Sequence, residues 1–244
     1  MWDQSVGNEM NWRHCVTLSA LIVLTALATA FAASFAHAQA RIGEAAIVQN
    51  EVLRVAESSS SQINVGDGVL RDETVQTGAD SAARFVMADS TNLSLGANAS
   101  LKLDRTVFND EHSYRDIAIR LTTGAFRFVT GHSEKTAYKI TTPLATIGVR
   151  GTILDILSQR GQTTVLLQEG AASVCNLGFQ CIQLTEPGDT AIVTLTGSRT
   201  TITKTNNPQW SFAQTCSAAA GLCAVNKFAD NGPGQEFTGI LCGR

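Results

Sequence analysis

Cys175 and Cys181 bracket the pentapeptide Asn176-Leu177-Gly178-Phe179-Gln180. Asn and Gly favour tight reversals, so Ala171–Cys175 and Cys181–Leu184 are expected to pair as a hairpin with both thiols at the base of its loop. Directly opposed residues have Cα atoms about 4.5–5.5 Å apart, within disulfide range. A disulfide is expected here, and so short a loop should gain only about 2 kcal/mol from it. Cys216, Cys223 and Cys242 follow near the C-terminus. On an unbroken helix the Cα atoms of Cys216 and Cys223 would lie about 10.5 Å apart, too far to bond. Either Gly221 breaks the helix and lets them meet, or Cys242 folds back to one of them. In both cases one disulfide and one leftover thiol are expected among the three.

Acid–base and metal chemistry is thinly supplied. Beyond the N-terminal segment only His112 and His132 remain, without His-x-x-x-His spacing or a neighbouring cysteine. No zinc site is expected, and both are read as solvated loop histidines. Gly-x-Ser-x-Gly, the phosphate-binding Gly-x-x-x-x-Gly-Lys-Thr and Gly-x-Gly-x-x-Gly do not occur, so signatures for serine hydrolysis and nucleotide binding are missing. Asp67, Asp72, Glu73, Asp80, Asp89 and Asp155 could supply the two carboxylates of a glycosidase. Asp67, Asp80 and Asp89 stand in turn contexts, where Asp bonds nearby backbone amides, and that structural reading is preferred. Asp155 follows Gly151-Thr152-Ile153-Leu154 in a strand-like run; it is expected on a solvent face, with pairing to Arg150 as the alternative. A sugar platform would have to draw on Trp210, Tyr114 and Tyr138, and Tyr138 is in phase with Ile140 and reads as core. No catalytic residue, cofactor or metal ligand is assigned.

The elements that must position these residues have a period of two. Ile117, Ile119 and Leu121 alternate with Asp116, Ala118 and Arg120; Phe126 and Phe128 flank Arg127; Tyr138 and Ile140 flank Lys139; Leu101 and Leu103 flank Lys102. Each run reads as a half-buried strand with one face on a core and one in water. Turn signals recur at Gly66-Asp67-Gly68, Gly78-Ala79-Asp80, Asp89-Ser90, Gly96-Ala97-Asn98, Arg160-Gly161 and Pro187-Gly188-Asp189, the punctuation of a sandwich, barrel or solenoid. Val75-Gln76-Thr77-Gly78-Ala79 returns as Leu121-Thr122-Thr123-Gly124-Ala125 and as Leu167-Gln168-Glu169-Gly170-Ala171. The three are read as strand-turn-strand units.

Both ends differ from this middle. Residues 15–36 form an uncharged apolar run after Arg13, and Ala36-His37-Ala38 completes a small-x-small cleavage pattern. Residues 1–38 are expected to be a signal peptide, with the mature chain starting at Gln39 and retaining no membrane span. An inner-membrane anchor over 15–36 is the alternative. Export makes disulfides the default state of the cysteines. The formal net charge of −3 gives no electrostatic reason to bind nucleic acid or an anionic membrane. After Asn206-Asn207-Pro208 the texture changes, with a short helix expected over 212–220. The expected division is therefore signal peptide 1–38, an all-β domain over 39–204, and a small Cys-containing appendage over 205–244.

The stretch from about residue 64 to 194 resembles the FecR domain family. Gly66-Asp67-Gly68-Val69 resembles its opening segment, Thr77-Gly78-Ala79-Asp80-Ser81-Ala82 its Thr-Gly turn, and Asp89-Ser90-Thr91-Asn92-Leu93-Ser94-Leu95 its hairpin. Leu121-Thr122-Thr123-Gly124 follows in order. Thr142-Pro143 and then Val149-Arg150-Gly151-Thr152 resemble the family hallmark, and Val165–Gly170 with Pro187-Gly188-Asp189 close the match. Ser90 replaces a glycine and Asp189 the usual glutamine of the pattern. The resemblance implies an all-β sandwich or solenoid of short antiparallel strands in an exported protein. Some family members relay the state of an outer-membrane iron transporter to a sigma factor, through a cytosolic anti-sigma domain before one membrane span. Only about a dozen residues precede the apolar run here, so the resemblance implies the domain and its compartment rather than iron signalling.

Thr142, Pro143, Arg150, Gly151 and Thr152 are the candidate motif residues. Thr-Pro sets an extended backbone, Gly151 allows close approach, and Arg150 can bond carbonyls or a carboxylate. Their role is either to hold a turn together or to touch a partner. The function expected is a periplasmic or secreted module that binds another envelope protein and does no chemistry. A carbohydrate- or peptidoglycan-binding module and a two-carboxylate hydrolase are the alternatives.

Overall fold

The computed structural model describes residues 40–56, 59–110, 113–133 and 138–214, giving the backbone alone for 104–110 and 113–115. The expectations for the signal peptide, His112, Cys216, Cys223 and Cys242 lie outside the described residues. Alternating apolar positions build strands almost throughout: β1 Arg41–Gln49, β2 Val52–Val55, β3 Ser60–Gln62, β4 Gly68–Leu70, β5 Thr74–Thr77, β6 Ala82–Met87, β7 Asn92–Leu95 and β8 Ser100–Asp110. There follow β9 Ser113–Val129, β10 Tyr138–Thr141, β11 Ala145–Gln159, β12 Gln162–Asn176, β13 Cys181–Leu184, β14 Thr190–Thr196 and β15 Arg199–Thr205. Of the helix expected over 212–220, residues 212–214 are described and form a 3-10 turn, Phe212–Gln214; the remainder lies outside the described residues. Among the described residues no helix is long and apolar enough to cross a membrane.

The all-β expectation holds, and the strands arrange as two rows. β9, β11 and β12 are long, and each runs from one row into the other. Their 124–129, 153–159 and 162–169 segments lie in the first row, in the order β15-β14-β12-β11-β9-β7-β6-β1-β4. Their other halves lie in the second row, β13-β12-β11-β10-β9-β8-β5-β2-β3. All pairings are antiparallel except β9 with β10, which is parallel.

One apolar core lies between the rows. The first row sends in Phe85, Leu93, Phe126, Phe128, Leu154, Ile156, Val165 and Leu167; the second sends in Leu101, Ile117, Ile119, Leu121, Tyr138, Ile140, Ile147 and Val174. Phe128 meets Tyr138 edge to face across the interior, ring centroids 5.4 Å apart, a favoured aromatic geometry.

The corners explain why the strands are longer than expected. Gly124 (φ +104°) and Gly170 (φ +86°) sit inside β9 and β12 rather than between strands. A Cβ on Gly170 would come within 1.9 Å of Gly151 O, and one on Gly124 within 2.4 Å of Ala99 Cα. Of the three recurring glycines only Gly78 ends a strand. The other two let a continuous strand turn a corner while a neighbouring backbone lies against them, because a positive φ serves a bulge as well as a turn.

Candidate functional site

The motif residues sit at the two ends of the 145–150 half of β11. At its start, Thr142-Pro143-Leu144-Ala145 is a tight turn from β10. Thr142 Oγ1 accepts from the amides of Leu144 (3.3 Å) and Ala145 (3.0 Å) and meets Thr163 Oγ1 at 3.0 Å. Pro143 is exposed at the turn's tip. At the other end, Gly151 and Gly170 form the corner. Just past it Thr152 is clasped to Thr130: Thr152 N donates to Thr130 Oγ1 (2.9 Å), and Thr130 Oγ1 lies 3.1 Å from Thr152 O. Thr142, Gly151 and Thr152 are thus built into the backbone. Arg150 is exposed on the outer face of the second row, as is Lys139 of β10. Lys139 pairs with Gly148 two residues before Arg150, so the two cations share one face.

Asp155 departs from expectation. It is 0% exposed and pairs not with Arg150 but with Arg127 of β9, itself 4% exposed. The guanidinium grips the carboxylate through two bonds, Nε–Oδ1 2.6 Å and Nη2–Oδ2 2.9 Å. Gln168 Nε2 (2.9 Å) and the Phe212 amide (3.0 Å) also donate to Oδ2. Phe212 lies over this pair with Arg127 Cζ 5.4 Å from its ring centroid, a cation–π distance. The outer face of the first row, read as a water face from its alternation, is therefore covered here by the chain after β15. A register line Arg84–Ser94–Arg127–Asp155 runs across it, all four buried; burial lowers the Arg84 pKa. Both Asp155 oxygens are occupied by protein donors, which suits a structural carboxylate bonded within the fold.

The remaining buried carboxylates take separate partners. Glu73 accepts from Arg54 Nε at 2.5 Å. Asp89, in the β6–β7 turn, accepts from the Thr91 amide (2.9 Å), Ser133 Oγ (2.6 Å) and the Tyr138 hydroxyl. Burial and then the Asp89 charge and hydrogen bond push the Tyr138 pKa up to about 12. Asp67 caps its turn through the Asn64 amide at 2.8 Å. Asp189 accepts from the amides of Thr185 (2.9 Å) and Glu186 (3.0 Å) and from Lys204 Nζ at 2.7 Å. Burial pushes the Asp189 pKa up, but Lys204 and the two amides outweigh it and hold the carboxyl below its ordinary range. Asp72 and Asp80 are exposed. Among the described residues no group of three or more His, Cys, Asp or Glu is placed to hold a metal ion. His132 is exposed and Trp210 half-buried.

Cys175 and Cys181 face each other in the β12–β13 register and are bonded, S–S 2.02 Å. Sequence reasoning missed three groups: Arg127 as the partner of Asp155, Phe212 as its cover, and the Thr130–Thr152 clasp. Only the phase of Arg127 between two core phenylalanines carried a signal, and it pointed to water.

Residues 73–173 match the family described as "FecR protein". That span holds the corner, the clasp and the Arg127–Asp155 pair. No curated protein matches the chain. Two solved structures of candidate anti-sigma factors from Parabacteroides distasonis ATCC 8503 are similar. One, at 2.50 Å resolution, is 18% identical with a TM-score of 0.46. The other, at 1.65 Å, is 16% identical with a TM-score of 0.44. Each match covers 55% of this chain and 59% of the other.

Proposed function

Because the chain carries a FecR domain, we propose that it is an exported, non-enzymatic binding and signalling module that works by protein–protein contact in the bacterial cell envelope. The family match over residues 73–173 carries this reading. The geometry supports it through the division of labour among polar residues. Asp155, Asp89, Glu73 and Asp189 are each held by their own donors at separate places, an arrangement that serves the fold. Arg150 and Lys139 stay in solvent on one strand face, where a guanidinium beside an ammonium favours carboxylates of another chain. In this proposal Thr142, Pro143, Gly151 and Thr152 hold the strand that presents Arg150, and Arg150 touches the partner.

Zero-length crosslinking of intact cells, followed by denaturing pull-down and mass spectrometry, tests it. The expected product is a covalent complex with an envelope protein, from a chain whose N-terminus is Gln39 in the periplasmic fraction. Co-sedimentation with purified peptidoglycan and no crosslinked polypeptide would replace the proposal with a cell-wall-binding role.

A further inference from the structure

Leu177, Phe179 and Leu195 are three of the four large apolar side chains exposed among the described residues, at 57%, 91% and 41%. They lie at one end of the molecule. Asn176 Nδ2 donates to Thr200 O at 3.0 Å, and Thr200 faces Leu195 in the β14–β15 hairpin. The Leu195 amide in turn donates to Gly161 O at 2.8 Å, bringing in the β11–β12 turn with Arg160; Arg199 opens β15. Both arginines are exposed. From 170 to 185 and from 190 to 205 the sequence has no Asp or Glu. This end is therefore apolar at its tip and cationic at its rim.

The tip is held rigidly. Besides the disulfide, Asn176 Oδ1 accepts from the amides of Gly178 (2.9 Å) and Gln180 (3.0 Å), and the Asn176 amide donates to Gln180 O at 2.9 Å. Phe179 adopts φ +60°, a conformation that Gly or Asn takes easily and a bulky residue rarely. Fold stability does not account for a phenylalanine there, since nine-tenths of it packs on nothing. A fixed, solvent-facing aromatic with arginines beside it has the make-up of a binding anchor, already ordered before it meets its pocket.

We infer that the loop between Cys175 and Cys181 is the anchor by which this protein docks, and that its partner is a protein offering an apolar pocket for Phe179 rimmed by carboxylates for Arg160 and Arg199. The inference rests on the protein-contact reading above. Carboxylates are the complement the two arginines select. A lipid surface fits less well: one Phe and two leucines bury too little to hold a folded domain, and insertion into lipid needs no fixed ring geometry.

The test uses the full chain with a photo-crosslinking benzoylphenylalanine placed singly at Phe179 or at Arg150. The protein captured from intact cells through position 179 is then purified and titrated with purified wild type and variants. Phe179→Ser should weaken that binding about tenfold or more, with its melting temperature within a degree of wild type. The double variant Arg160→Glu/Arg199→Glu should slow association and flatten its salt dependence. Equal binding by wild type and Phe179→Ser overturns the inference. Crosslinking through position 150 alone also overturns it, while leaving the protein-contact reading in place. Vesicles containing phosphatidylglycerol that bind wild type but not Phe179→Ser would assign the loop to lipid instead. No crosslink from either position, together with none from the zero-length reagent, overturns both readings.

Discussion

Arg127 and Phe179 each stand where the other's residue type is usual. On the first row's outer face a guanidinium and a carboxylate are buried beneath Phe212, and every oxygen of Asp155 has a donor. On the β12–β13 loop an aromatic ring faces water with its amide bonded to Asn176 O and its side chain touching almost nothing. Buried charge with complete bonding is a structural device whose value shows only when one member is removed. Exposed apolar surface on a clamped loop contributes little to the isolated fold, so its value has to be sought in a complex.

Breaking the buried pair should have the largest effect. Arg127→Ala leaves the buried Asp155 carboxyl without its guanidinium partner, which should lower unfolding stability by about 3–5 kcal/mol. Urea denaturation measures this. The double replacement Arg127→Met/Asp155→Leu should recover much of the loss, because no charge is then stranded. A single variant within about 1 kcal/mol of wild type would mean that water reaches Asp155 once the guanidinium is gone.

The corner between the rows gives the next effect. Gly170→Ala adds a Cβ against Gly151 O at a positive φ and should cost on the order of 3 kcal/mol. Gly161→Ala has a similar φ, +82°, but no atom within 4 Å of the added Cβ. It should cost only about 1–2 kcal/mol, so chemical denaturation of the two variants separates close packing from backbone conformation.

These contrasts mark what the sequence could and could not disclose. Period-two alternation places Ile117, Ile119, Leu121, Phe126 and Phe128 on the core, because the side-chain period of a strand does not depend on its partners. The same alternation assigns Arg127 to water and is wrong there. The cover arrives with Phe212, whose amide bonds Asp155 from 57 positions along the chain, and no local pattern records it. Gly124 and Gly170 read as turns because a Gly-Ala step looks alike in a reversal and in a corner. The Cys175–Cys181 pair was legible because loop length, turn residues and disulfide reach all act within one hairpin. The exposure of Phe179 was not, since nothing local tells whether a neighbouring element covers a loop residue.

Removing the staple tests the other half of the comparison. Cys175→Ser/Cys181→Ser should cost about 2 kcal/mol and lower the melting temperature by roughly 4–8 °C, leaving the strands folded by circular dichroism. Binding should fall by more than that stability change explains, because the freed loop must be ordered again on contact.

Asp189 offers a smaller, pH-dependent effect at the opposite end of the β14–β15 hairpin from Leu195 and Arg199. Its carboxyl is held below the ordinary range, chiefly through Lys204 and two amides acting against burial. The unfolded chain therefore takes up the proton first as pH falls. The stabilisation is complete above the ordinary Asp value of about 4 and is lost on acidification through the depressed folded-state value. Asp189→Asn should lie below wild type in melting temperature at pH 7, and the gap should shrink as pH drops below about 4. A gap that stays constant down to pH 2 would show that the bonds to Asp189 do not depend on its charge.

The smallest effect carries the opposite sign. Phe179 sits at φ +60° with its ring in water, so the fold bears a backbone penalty and recovers almost no packing. Asn tolerates this conformation, since its short polar side chain suits the left-handed region. Phe179→Asn should therefore leave the disulfide and the hairpin register intact and raise unfolding stability by up to about 1 kcal/mol. Thermal melts of the oxidised protein at neutral pH would resolve it as an upward shift of a few degrees at most. A measurable loss of stability would show that the ring packs in solution on something, such as the leucines beside it, and would place Phe179 with Arg127 among the residues that hold the fold. A gain accompanied by lost binding would separate the two regions cleanly: one set of residues kept for the fold, the other kept at the fold's expense.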